Sequence, residues 1–182
     1  MNSDNPSLAT PVGTGFTIEE LIVHAQAMEA EAAERYEELA DGMEVHNNLE
    51  VAALFRRMAE IEGKHSDQVG DLGAGLDLPE LKPWEYRWGT LESPETPSVE
   101  SAHYMMQPYH AIQVAIRYER RAINFFEAII AQAKPGSELL TMATQMADDE
   151  REHVRLLNEW LTRYPKPEQD WDEDMDPPNL QE

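Results

Sequence analysis

DDEREHVRLL, residues 148–157, is helical in pattern, yet polar side chains stand where apolar ones are due. The apolar line of the surrounding segment runs Leu139, Ala143, Met146, Leu157, Trp160, Tyr164, which is helical spacing over 137–164. Between Met146 and Leu157 the same line carries Glu150 and His153. Residues three apart share a helix face, so a carboxylate and an imidazole are both aimed at the interior.

Three further segments repeat the anomaly. The first, over 17–45, opens with Thr17 as N-cap and acids in the first turn. Its line is Ile22, Ala25, Ala32, Tyr36, Leu39, Met43, with Glu29 in the gap. The second, 49–70, reads Val51, Phe55, Met58, Val69, Leu72, interrupted by Glu62 and His65. The third, 108–133, has Pro108 suited to a first turn and the line Ile112, Ala115, Ala122, Phe126, Ile129, Ala133, interrupted by Glu119. Little in the chain reads as strand.

His46-Asn47-Asn48 and Lys134-Pro135-Gly136 mark short turns between the first and second and between the third and fourth segments. A proline-rich connection over 73–107 joins the pairs, and its Trp84, Tyr86 and Trp88 are expected to pack on the helices. Short, long, short connections predict two antiparallel hairpins joined by a crossover. The fold class is therefore all-α, a four-helix bundle of the ferritin-like type over 17–164. Residues 1–16 are expected to be a flexible N-terminus. The acidic, proline-rich 165–182 is expected to be an extended tail.

Composition limits the function. With 182 residues, 41% of them hydrophobic, the chain suffices for one domain with a real core. A net charge of −22 with only 14 Lys and Arg argues against nucleic acid and against anionic membranes as partners. The absence of cysteine excludes disulfides, thiolate metal sites and a thiol nucleophile. The N-terminal stretch lacks a basic start and an apolar run, and no apolar run is long enough to span a bilayer, so a cytoplasmic location is expected.

Glu-x-x-His alone is weak evidence. The chain contains three such pairs, and Glu100 with His103 in the connection is read as the chance one. Depth separates the other two. The point midway between Glu29 and the Glu62/His65 pair falls near 46, on His46-Asn47-Asn48; the point midway between Glu119 and the Glu150/His153 pair falls near 135, on Pro135-Gly136. Antiparallel helices of equal rise then bring all six side chains to one layer, ~25 Å from each turn. The hairpins also resemble each other: EAEAAERY (29–36) aligns with ERRAINFF (119–126), and EGKH (62–65) with EREH (150–153).

Four buried carboxylates without compensation cost several kcal/mol each, against a domain stability of ~5–15 kcal/mol. Two divalent cations neutralise four carboxylates directly. An oxygen-rich set with two imidazoles suits Fe, with Mn as the alternative. The candidate ligands are Glu29, Glu62, His65, Glu119, Glu150 and His153. His24, His46 and His110 read as packing or surface residues, and Met28, Met43, Met58, Met142 and Met146 as core filling. Glu31, Glu34, Glu37 and Glu38 read as a solvated face. Tyr36 and Tyr118 are candidate donors to the ligand carboxylates. Asp149 is a candidate acceptor for a ligand histidine, with Ile61 as its counterpart in the other hairpin.

The pattern Glu…Glu-x-x-His…Glu…Glu-x-x-His, with an aromatic seven residues after each first Glu, resembles the rubrerythrin branch of the ferritin-like superfamily over about 17–164. The resemblance implies a non-haem di-iron carboxylate site, often in a dimer, on the same six residues, with Glu62 and Glu150 bridging. It departs in two places. No cysteine-ligated rubredoxin domain is present, and the extra glutamate three residues before Glu119 is replaced by Ile116.

The expected function is Fe(II) oxidation or reduction of O2 or H2O2 at a dinuclear site that also serves as the catalytic group. An external electron donor and a homodimer or larger homo-oligomer are the expected partners. A di-manganese, catalase-like enzyme and a ferritin-type iron store are the alternatives.

Overall fold

Thr17 starts the first helix through a reciprocal cap: its side chain accepts from the Glu20 amide while the Glu20 carboxylate accepts from the Thr17 amide at 2.9 Å. The computed structural model describes residues 15–88 and 106–167. Four long helices follow in order: α1 (Ile18–Val45), α2 (Leu49–Leu72), α3 (Pro108–Ile130) and α4 (Glu138–Leu161), with a 3-10 turn at Pro83–Glu85. There is no strand among the described residues. The expectations for 1–14, for the middle of the crossover with Glu100 and His103, and for 168–182 lie outside the described residues.

α1 packs chiefly on α2, and α3 on α4, so the chain forms two helical hairpins in a four-helix bundle. The α1–α2 turn closes with the Asn48 amide on the Met43 carbonyl at 2.8 Å, and Asn47 takes φ 57°. Asparagine tolerates this left-handed conformation better than most residues do. The α3–α4 turn places Gly136 at φ 76°, a conformation free of strain only for glycine.

Helix ends depart from the sequence reading by two or three residues. α2 continues through Gly70 to Leu72. Gly70 sits where the helices of the first hairpin come close: a Cβ there would stand 2.7 Å from the Gln26 amide nitrogen. α3 stops at Ile130 and α4 at Leu161, each a few residues before a proline (Pro135, Pro165). The residue preceding a proline is disfavoured in helix, so both helices end before it. Leu72, placed on the apolar line of the second segment, is 62% exposed, and Trp84, expected to pack on the helices, is 77% exposed. Leu72 is the last residue of α2, and Trp84 lies in the 3-10 turn under Lys82. Trp88, by contrast, is buried.

The core is two clusters rather than one. The first gathers Tyr36, Met43, Phe55 and Met58 of the first hairpin with Ile112, Ile116 and Leu157 of the second. The other gathers Leu21, Ile22, Met28 and Val69 with Phe125, Phe126, Ile129 and Met146. Along every helix the boundary between them falls at the polar residues: Glu29, Glu62, Glu119 and Glu150. Helix directions follow from the same division. α1 and α4 run from the second cluster to the first, α2 and α3 the opposite way, so α2 and α3 are parallel and need a crossover between them.

Candidate metal centre

Between the two apolar clusters lies a charged layer. Glu29, Glu62, Glu119, Glu150 and His153 are all buried, Glu62 to 1% exposure. His65 is the exception, with a quarter of its side chain (25%) exposed. Each comes from the middle of its own helix, which is where helical spacing from the flanking apolar residues puts it.

The donor atoms converge. Those of Glu62, Glu119, Glu150 and His153 all lie within 4.8 Å of one another, as do those of Glu62, His65 and His153. His153 Nδ1 stands 2.9 Å from Glu62 Oε1, 3.2 Å from Glu150 Oε2 and 3.6 Å from Glu119 Oε2. His65 Nδ1 lies 3.3 Å from Glu62 Oε2 and 4.0 Å from Glu29 Oε2. The two imidazoles stack, centroids 5.5 Å apart and planes 13° off parallel. Glu29 completes neither of the tight donor groups; it stands at the His65 edge of the layer.

Glu62 is the centre of the arrangement. Both of its carboxylate oxygens are buried and neither receives a hydrogen bond of good geometry. A buried carboxylate in that condition is costly, and a cation held there would remove the cost. The donor set, carboxylate oxygens with imidazole nitrogens, fits a first-row divalent metal such as Fe or Mn.

Ionisation follows the same geometry. Burial, reinforced by the charge of Glu62, pushes the Glu29 carboxyl well above the usual range. Burial, with the charges of Glu119 and Glu29, does the same to Glu150. Burial also lifts Glu62, but the close imidazoles of His153 and His65 outweigh it and hold that carboxyl at about 2. For His153 burial alone depresses the pKa; the carboxylates of Glu119, Glu150 and Glu62 more than reverse this and raise it. Without a cation, protons on Glu29, Glu150 and His153 do part of the neutralising.

One residue near the layer reaches across the bundle. Tyr36, on α1, donates its hydroxyl to Glu119 Oε1 on α3. Tyr118 serves differently: its ring lies under the guanidinium groups of Arg35 and Arg121, at 4.6 and 5.1 Å. Arg35 is buried although it stands within the glutamate run read as a solvated face, and nothing in the spacing of that run marks it. His24 is packing, fully enclosed by Phe16, Tyr86, Trp88 and Phe125. Its Nδ1 donates to the Glu20 carbonyl at 2.7 Å and its Nε2 accepts from the Arg87 amide at 2.9 Å, which fixes it as neutral and ties the crossover to α1. Burial accordingly depresses its pKa to about 4.

A rubrerythrin family profile matches residues 20–101. A crystal structure of a protein from Magnetospirillum magnetotacticum MS-1, described as an uncharacterized conserved protein, is 40% identical over 84% of this chain and 99% of that one, with a TM-score of 0.70. The chain belongs to the rubrerythrin family. The rubrerythrin match indicates a ferritin-like di-iron carboxylate protein, and the buried Glu and His cluster is a possible site for its metal. No curated protein matches the chain. No helix among the described residues of this rubrerythrin-family protein is long and apolar enough to cross a membrane.

Proposed function

We propose that the bundle is a di-iron oxidoreductase, with Glu29, Glu62, His65, Glu119, Glu150 and His153 as ligands and O2 or H2O2 as oxidant. The observation that supports it is the buried layer of four carboxylates centred on Glu62, whose two oxygens face the imidazoles of His153 and His65. Two bound Fe(II) ions supply two electrons, so that with H2O2 the balance is two Fe(II), one H2O2 and two protons giving two Fe(III) and two waters.

The chain's own residues do the rest. Glu62 and Glu150, which the family resemblance makes the bridging carboxylates, hold the two cation positions at a fixed spacing. The protons that burial keeps on Glu29 and Glu150 leave as cations bind, because a ligand carboxylate must be ionised. The apolar clusters above and below the layer exclude bulk water, and the partly exposed His65 leaves one side open to small molecules. In this reading an external donor returns the electrons, and the chain works as a homodimer or larger homo-oligomer. Without a donor, Fe(II) is itself the substrate and the protein is a ferroxidase. Stopped-flow absorbance of the anaerobically Fe(II)-loaded protein mixed with H2O2 or O2 tests the reading: oxidation faster than that of free Fe(II) is expected, and an equal rate refutes it.

A further inference from the structure

The two hairpins are alike in sequence, and a two-fold site built from them has two equal halves. The structure makes the halves unequal in three independent ways. First, His153 is buried and 3.6 Å or less from three carboxylates, whereas its counterpart His65 has a quarter of its side chain exposed. Second, Glu119 receives the Tyr36 hydroxyl. The residue in the corresponding place for Glu29, seven positions after Glu119, is Phe126, which has no hydroxyl to give. Third, Glu62, Glu119, Glu150 and His153 already form a compact four-donor group, while Glu29 is outside both compact groups and 4.0 Å from His65.

Resting on the dinuclear reading above, we infer that the two cation positions differ in affinity and exchange. The position enclosed by Glu62, Glu119, Glu150 and His153 fills first and retains its ion. The position at Glu29 and His65 fills second and exchanges with solvent. A preorganised, hydrogen-bonded carboxylate needs no rearrangement to accept a cation, and loss of such a partner weakens metal sites about 10–100-fold. Exposure of His65 lets water compete for both the ion and the imidazole, which accelerates departure from that side. The labile position is then where an incoming Fe(II) or a small oxidant first meets the site.

Titration of the full-length, chelator-stripped protein with Mn(II), followed by electron paramagnetic resonance of the free ion, reads both positions without any turnover. The expected isotherm has two steps, with dissociation constants at least about tenfold apart. His65→Ala removes the weaker step and weakens the tighter one far less. Tyr36→Phe, which keeps the ring in place, weakens the tighter step and narrows the gap. Two indistinguishable steps, or a His65→Ala variant that weakens both equally, overturn the inference while leaving the dinuclear reading intact. No Mn(II) or Fe(II) binding at all overturns both.

Discussion

His153 on α4 holds its Nδ1 2.9 Å from Oε1 of Glu62 on α2, a buried link between hairpins that otherwise pack chiefly on themselves. Removing one partner of a buried charged pair leaves the other uncompensated and costs about 3–5 kcal/mol. In the metal-free protein, His153→Ala is therefore expected to lose about 3 kcal/mol. His65→Ala, at a position one quarter (25%) exposed, is expected to lose under about 1 kcal/mol. Urea denaturation of both variants checks the contrast; equal losses would show that burial does not distinguish the two imidazoles.

The pH dependence of metal stabilisation has a definite sign. A group that holds its proton more tightly in the fold than in the unfolded chain stabilises the fold at low pH and loses that contribution as pH rises. Glu29, Glu150 and His153 are such groups, so from about pH 4.5 upward the two carboxyls progressively weaken the metal-free fold. Glu62 contributes in the opposite sense, but only as pH falls from 4.5 toward about 2. His24, lowered to about 4, also opposes the trend between 6.5 and 4, yet it lies outside the charged layer and acts equally with or without metal. Cations that displace the protons of Glu29 and Glu150 must bind better as pH rises. The gap in melting temperature between Mn(II)-loaded and stripped protein is thus expected to widen from about pH 5 to about pH 8. A gap that stays constant would mean that the cations do not displace these protons.

The sequence was most legible where a rule of period was broken. Glu29, Glu62, Glu119 and Glu150 could be placed in one layer because helical rise is fixed and the turns at His46-Asn47-Asn48 and Pro135-Gly136 are spelled in turn residues. The structure adds that this layer divides the core in two. Helix ends were legible only to within a few residues, since fraying before Pro135 and Pro165 depends on local competition rather than period. Trp84 was expected to pack on the helices because large aromatic side chains seldom stay in water, but it sits exposed in a surface turn. The inequality of His65 and His153 was hidden altogether. It depends on how far each hairpin covers the other, which two matching Glu-x-x-His motifs cannot report.

Tyr36 and Tyr118 both looked able to serve the carboxylates, and only Tyr36 does so in the structure. A buried hydrogen bond to a charged group is worth about 1.5–3 kcal/mol. Tyr36→Phe is expected to cost about that much in the metal-free protein. Tyr118→Phe keeps the ring that Arg35 and Arg121 cover and is expected to cost less than about 0.5 kcal/mol. Denaturant midpoints of the two variants compare them directly, and a Tyr118 effect as large as that of Tyr36 would assign the hydroxyl contact to the wrong tyrosine.

Ile116 is where the family resemblance has a further glutamate, and here the position is 2% exposed within an apolar cluster, one turn before Glu119. Ile116→Glu adds a fifth carboxylate next to four, which no neighbouring group neutralises. In stripped protein the variant is expected to lose about 3 kcal/mol or more, from unpaired burial and lost apolar packing together. A ligand that binds only the folded state adds about 2.7 kcal/mol at a hundredfold its dissociation constant. If the new carboxylate reaches a bound cation, Mn(II) at that excess is expected to recover more stability in Ile116→Glu than in the parent chain. Chemical denaturation of both proteins with and without Mn(II) measures the difference. An equal Mn(II) increment in both would mean that the side chain at 116 points into the apolar cluster and does not face the metal layer.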